Sequence, residues 1–491
     1  MSDNTVERRS VLIDFASLSK MLLGTVSDSS SMLKNKVVSN KYSKEDIRKY
    51  LNDPMLFSKE LRNVSIGLYF SNSHYRRLVS YFSSMLTFDY ICLPYEGGNL
   101  EKINIKTATT AYKKVLNLLE VMNLKHEMLK AVTVAIREDV FYGYEHMGKD
   151  SYFIQKMDAD YCMISSIEDG IYNYAFDFSF FDRNPEKLEI FPSEFKSKYN
   201  AYLKDRTKMR WQELDSKNTV CFKVNEDFPF PVPVFGGTFE DLIDLQEFKQ
   251  LRKAREKLGN YKFLVQKIPV RQDSTDNDDF AITLKSVMHF HNRIAQVLPD
   301  EIGILTSPMD IEPVSFDKDS ATSSDAVAEA YTSYMRSAGV SESLFNSEKM
   351  GAVGLTFSIK ADESMMFALL RQIERWVNKK IKTVGGKYRF KVIFPNLTIY
   401  NRDDEFEKYL KAAQFGFSRL LVAASLGMSP NDMVNMLTLE HDILGLDDKM
   451  IPLVSSHTQT NEGGRPEKKT EKLSGEGEKT RDNQKNPNRA K

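Results

Sequence analysis

From Ser323 to Lys382 the chain reads SSDAVAEAYTSYMRSAG, then VSESLFNSEKMGAVG, then LTFSIKADESMMFALLRQIERWVNKKIK. The first piece opens on helix-capping residues, carries the small side chains Ala326, Ala328 and Ala330, and stops at Gly339. The second is a Gly-punctuated loop. In the third, Met366, Leu369, Leu370, Ile373, Trp376, Val377 and Ile381 recur at helical spacing. Asp362 and Glu363 are placed in its first turn and Lys379, Lys380 and Lys382 in its last, a charge order that suits the helix dipole, and Gly385-Gly386 ends it. About 23 residues at a rise of roughly 1.5 Å each predict a rod of about 35 Å.

Working outward, residues 44–137 read as mostly helical, opening on the capping-box sequence Ser43-Lys44-Glu45-Asp46. Short β-rich runs follow around Val140, Tyr152, Tyr161 and Ile171, separated by turn residues, and predict an antiparallel meander. A helical stretch over about 185–205 and a strand around Val220 come next. Phe228-Pro229-Phe230-Pro231-Val232-Pro233 is excluded from helix and central strand and reads as a rigid extended connector. A second strong helix starts at Thr238 and closes at Gly259-Asn260, with Leu242, Leu245, Phe248, Leu251 and Leu258 as its apolar stripe. A β-α-β unit then spans strand 262–270, helix 280–297 and strand 301–306. After the long rod come a strand at 388–394 and three short helices. Beyond Ser455 a single Leu, no aromatic and dense charge predict a disordered tail.

Composition narrows the class. The 491 residues are 41% hydrophobic and 28% charged, and Lys+Arg equals Asp+Glu at 68 each, so bulk charge draws the chain to neither nucleic acid nor anionic membrane. Cys92, Cys162 and Cys221 are far apart, without metal-binding spacing, and read as buried free thiols of a reducing compartment. No apolar run approaches the roughly 18 residues of a membrane span, and the first residues lack a signal-peptide core, so the chain is expected to be made and kept inside a cell.

Chemistry is scarce. Gly386-Lys387-Tyr388 and Gly148-Lys149-Asp150 lack the hydroxyl residue and Gly spacing of a phosphate-binding loop. The run Asp273 to Asp279 lacks the Gly and distal Glu of a calcium loop, and reads as the solvated first turn of a helix. His289 and His291 point to different faces of one helix, which argues against a shared metal ion. No GxSxG, HExxH or paired Cys/His constellation occurs. No catalytic residue, cofactor or metal is therefore expected, and the chain is read as a non-enzyme.

The order of elements, with "SNSHYRRLVSYF" at 71–82, "DYCMIS" at 160–165 followed by "AFDFSFF" at 175–181, "PFPVP" at 229–233 and "LFN…LLRQIERW" at 344–376, resembles the portal (head–tail connector) proteins of tailed bacteriophages. The resemblance covers about 45–455. It implies an α+β subunit with a wing at 44–237, a first stem helix at 238–260 and a clip at 261–317; the N-terminal segment at 1–43, flexible in part, is not explained by it. A second stem helix at 318–340, a tunnel loop at 341–359, a long wing helix and strand at 360–401 and a crown at 402–454 complete it, while the disordered tail at 455–491 is read from composition and not from the resemblance.

The function so implied is a ring-shaped channel at one capsid vertex, assembled in the host bacterial cytoplasm. The genome is packaged through it by the terminase motor and later ejected, and the ring also nucleates head assembly and joins head to tail. Closed cyclic contacts in this family imply about twelve copies. Implied partners are the terminase large subunit, major capsid and scaffolding proteins, a head-completion or adaptor protein, and double-stranded DNA without sequence specificity. Ring contacts are expected at Leu245, Leu251, Ala326 and Ala330, motor docking at Asp276, Asp278 and Asp279, and a DNA-channel loop at Asn346, Lys349, Gly351 and Gly354. Two other classes compete: another non-enzymatic virion or adaptor subunit, and a nucleic-acid-processing packaging enzyme.

Overall fold

The computed structural model describes residues 42–95, 104–148, 150–260, 262–269, 271, 281–297, 302–307, 320–344 and 352–446. The chain divides into two units, Met1–Met433 and Val434–Lys491. In the second, the described residues 434–446 include a π-turn at Leu439–Ile443. Nearly all the described elements belong to the first.

Helices α1 (Lys44–Asn52), α2 (Ser58–Ser71) and α3 (Ser73–Ser83) open the fold, and the capping box at Ser43 and Asp46 forms as read. The Asn72 side chain accepts from the backbone N–H of both His74 and Tyr75, which starts α3 directly after α2 ends. Strand β1 (Ile91–Pro94) and helices α4 (Ile105–Met122) and α5 (Leu124–Glu138) follow. Ala131, Val132, Ala135 and Ile136 bury one side of α5 against Tyr75, Leu78 and Phe82 of α3 in the main core.

The β region differs from the expected meander. Two hairpins form, β2 (Val140–Met147) with β3 (Tyr152–Lys156), and β4 (Cys162–Glu168) with β5 (Ile171–Asp177). They do not pair with each other. Each is completed by a strand from later in the chain: β6 (Trp211–Glu213) on β5 and β7 (Thr219–Lys223) on β2. The reason lies in burial. Because side chains alternate across a strand, Phe141 of β2 and Val220 and Phe222 of β7 enter the main core. Val140, Tyr142, Tyr144 and Cys221 enter a second, aromatic one. This sheet is a wall buried on both faces. Turn signals between neighbouring runs cannot reveal that arrangement. Behind it, Phe176, Phe178, Phe181 and Phe195 meet in edge-to-face and tilted pairs with ring centroids 5.4–6.3 Å apart, with helices α6 (Phe180–Arg183) and α7 (Ser193–Lys204) closing the cluster.

The proline connector leads to α8 (Phe239–Asn260), then β8 (Lys262–Lys267), α9 (Leu284–Val297) and β9 (Ile302–Ser307). Strands β8 and β9 pair in parallel from Lys262 opposite Ile302 to Lys267 opposite Ser307, the β-α-β unit read from the sequence. Helix α10 (Ser320–Ser337) returns beside α8.

The rod α11 (Ala352–Ile381) has 30 residues, about 45 Å at the helical rise. All seven residues of its sequence-read stripe are buried in the main core. It begins earlier than expected, so Gly354 lies in its first turn and not in a loop. Asp362 and Glu363 are consequently mid-helix and buried, where they accept from the Tyr81 hydroxyl (2.9 Å) and the Thr398 hydroxyl. Their partners are tertiary ones, and the dipole reading of these two carboxylates is corrected. Strand β10 (Phe390–Ile393) pairs antiparallel with β1, and α12 (Arg402–Gln414), α13 (Arg419–Ser425) and α14 (Pro430–Thr438) follow.

Candidate assembly surface and basic cleft

Helix α8 is held by its first half. Arg48 pairs with Glu240 at 2.8 Å, and Lys44 pairs with Asp244 and, at 3.7 Å, with Glu247. Phe239, Leu242 and Leu245 are buried, and Tyr334 and Met335 of α10 are buried on the facing helix. The stripe read on α8 therefore splits. Leu245, 1% exposed, is already packed within its own subunit, whereas Phe248 is 39% and Leu251 60% exposed. Ala326 and Ala330 of α10 are half-buried. On α9, Val287 is buried, Phe290 and Ile294, four positions apart, share an exposed apolar face, and Met288 is exposed on another side.

Of the remaining sequence-read residues, Asp276, Asp278 and Asp279 lie outside the described residues, as do Asn346, Lys349 and Gly351. The described part of the connection after α10 is a left-handed Gly339 (φ 71°), a buried Val340 and a 3₁₀ turn at Glu342–Leu344.

Between α3, α8 and α10 lies a cleft of about 430 Å³. His74, Arg77, Lys249 and Arg252 line it, with Glu342 as a carboxylate among the lining residues. The Lys249 ammonium donates to Nε2 of His74 at 2.8 Å, so that imidazole is neutral and carries its proton on Nδ1. Burial first, then the charges of Lys249 and Arg77, hold His74 below the ordinary imidazole range. Burial and neighbouring Lys253 likewise lower Lys249. The His74 ring lies 5.4 Å from that of Tyr331. This cleft went unread in the sequence. Its signal was present in "HYRR" at 74–77 and "KQLRK" at 249–253, two basic runs with no visible reason to meet.

Cys92, Cys162 and Cys221 are free and buried, and burial pushes the Cys92 thiol up to about 12, which makes it inert. Among the described residues, no group of three or more His, Cys, Asp and Glu is arranged to hold a metal ion. Among the same residues, no helix is long and apolar enough to cross a membrane.

No protein-family model matches the chain, and no curated protein matches it. Among solved structures it is similar to a chain of the virion of a native gene transfer agent particle, at 9% identity and a TM-score of 0.37, over 76% of this chain and 94% of that one. A chain from the neck of an empty gene transfer agent particle gives 12% identity, the same TM-score of 0.37 and the same 76% and 94% coverage. A likeness at that TM-score fixes neither fold nor function.

Proposed function

We propose that the chain is a structural subunit of a phage-type virion, a portal-like protein that closes into a ring and acts as a conduit for double-stranded DNA. The supporting observation is the pairing of α8 with α10 around a parallel β-α-β unit, with Phe248, Leu251, Met288 and Phe290 left exposed in the isolated chain. Large apolar side chains on two successive helices suit subunit contacts made on those helices. In this reading α8 and α10 are the stem, the β-α-β unit is the clip, and α11 carries the wing. Asp276, Asp278 and Asp279 face the terminase motor, and Lys349 stands in the loop that meets DNA. Capsid, scaffolding and head-completion proteins meet the outer surface. The ring does no chemistry.

Electron microscopy of the purified full chain, with mass measured by light scattering, tests this. A channelled, flanged ring of about twelve copies is expected. A monomer at all concentrations, or a closed shell in place of a ring, sinks the portal reading. ATP turnover or DNA cleavage by the same preparation favours the packaging-enzyme class instead.

A further inference from the structure

We propose that the cleft between α3, α8 and α10 is a binding site for a phosphate group, held by Lys249, Arg77 and Arg252 with His74 as their neutral companion. A chain with no net charge has here gathered two arginines, a lysine and a histidine around one concavity, against the Glu342 carboxylate, which accepts from the Thr332 hydroxyl at 3.1 Å. Arg77, Lys249 and Arg252 are exposed and crowd around the half-buried His74, and their excess of positive charge over the one lining carboxylate concentrates anions.

Two details point to an anion. Lys249 spends one N–H on a neutral imidazole, an uncharged acceptor, and keeps two for a charged one. Arg77 and Arg252 are engaged in other contacts as well, yet their planar forks suit the tetrahedral oxygens of a phosphate. The walls add an apolar floor from Leu245, Val327 and Met335, beside the Tyr331 ring. A phosphate arrives there either as the free ion or as part of a DNA backbone, and the chemistry of recognition is the same for both. The inference does not depend on ring formation.

The test uses the full chain in phosphate-free buffer. Radiolabelled inorganic phosphate is followed by equilibrium dialysis, and a labelled DNA duplex by fluorescence anisotropy across a salt series. Lys249→Gln and Arg252→Gln are each expected to weaken phosphate binding about tenfold, as loss of a charge-assisted hydrogen bond does. Lys249→Arg should retain binding, and Lys387→Gln, an exposed cation elsewhere in the same unit, should change nothing. If DNA is the source, the duplex displaces phosphate, and the slope of log affinity against log salt flattens by about 0.9 per cation removed. If the source is the free ion, phosphate binding falls in the variants while duplex binding stays put. Equal phosphate and duplex binding by wild type and both Gln variants, all with unchanged melting curves, overturns the proposal. So does a wild type that binds neither probe, whether or not Lys249→Gln forms rings.

Discussion

The Lys223 ammonium lies 2.8 Å from the Asp139 carboxylate, with both side chains sealed from solvent. Asp139 holds a left-handed backbone (φ 70°) between α5 and β2, and its two oxygens also accept from the backbone N–H of Asn225 (2.9 Å) and Val232 (3.1 Å). The proline connector that leads to α8 is thus tied to the sheet between the two cores. Gln372 of α11 adds a further tie, donating to the Lys223 carbonyl at 2.7 Å. Removing one partner leaves a charge buried without a counter-ion. Lys223→Met is expected to cost about 3–5 kcal/mol. Adding Asp139→Gly, which the left-handed backbone tolerates, should cost clearly less than the sum of the two single changes. Additive losses in urea denaturation would show that the pair contributes nothing as a pair.

Glu138, the residue before it, gives a pH signature. Burial opposes its charge, but Lys156 at 2.8 Å and Arg137 outweigh that and bring its carboxyl down to about 2. Its folded value lies below the unfolded value of 4.5, so the stabilisation is fully present above pH 4.5 and lost as pH falls toward 2. The shift corresponds to something on the order of 3 kcal/mol. Glu138→Gln should flatten the stability curve between pH 5 and about pH 2; an acid limb as steep as wild type counts against the ion cluster.

Leu245 and Leu251 are six positions apart on α8 and should fail differently. Leu245→Ala opens space in a packed subunit and is expected to cost about 2–4 kcal/mol in thermal or urea unfolding. Leu251→Asp touches an exposed side chain and should leave subunit stability within about 0.5 kcal/mol while impairing ring assembly in electron micrographs. Normal rings from Leu251→Asp would remove this face of α8 from the interface.

Trp376 stands edge-on to Phe222 with ring centroids 5.9 Å apart, while the Lys380 ammonium lies 5.7 Å from its own ring. It joins α11 to β7. Trp376→Ala is expected to cost about 3–5 kcal/mol, and Trp376→Phe markedly less. Equal losses for the two would mean that ring burial is not what this position contributes.

For the proposed conduit, Lys349→Ala should assemble normally and bind free DNA as wild type does. Its defect should appear late, as reduced retention or incomplete packaging in a nearly full capsid. Reversal of all three charges at Asp276, Asp278 and Asp279 should weaken packaging without dissociating the ring, since one exposed pair contributes only about 0–1 kcal/mol. Full packaging yield from either variant removes that segment from the mechanism.

Local pattern determined most of the long helices, the β-α-β unit and the inward face of the rod, but not the whole inward face of α8, where Phe248 and Leu251 stay exposed. The stripe from Met366 to Ile381 is buried at all seven positions, and Lys262–Lys267 and Ile302–Ser307 form the expected β-α-β unit. Such features are local because a side chain's direction repeats every 3.6 residues in a helix and every two in a strand. Tertiary structure decided the rest. Whether Asp362 caps a dipole or meets Tyr81, 281 residues away, depends on which segments share a core. So does the completion of each hairpin by a strand from 211–223. The meeting of His74 with Lys249, 175 residues apart, has the same origin, because polar partners are chosen by proximity after the apolar faces have been buried, and periodicity carries no record of that choice.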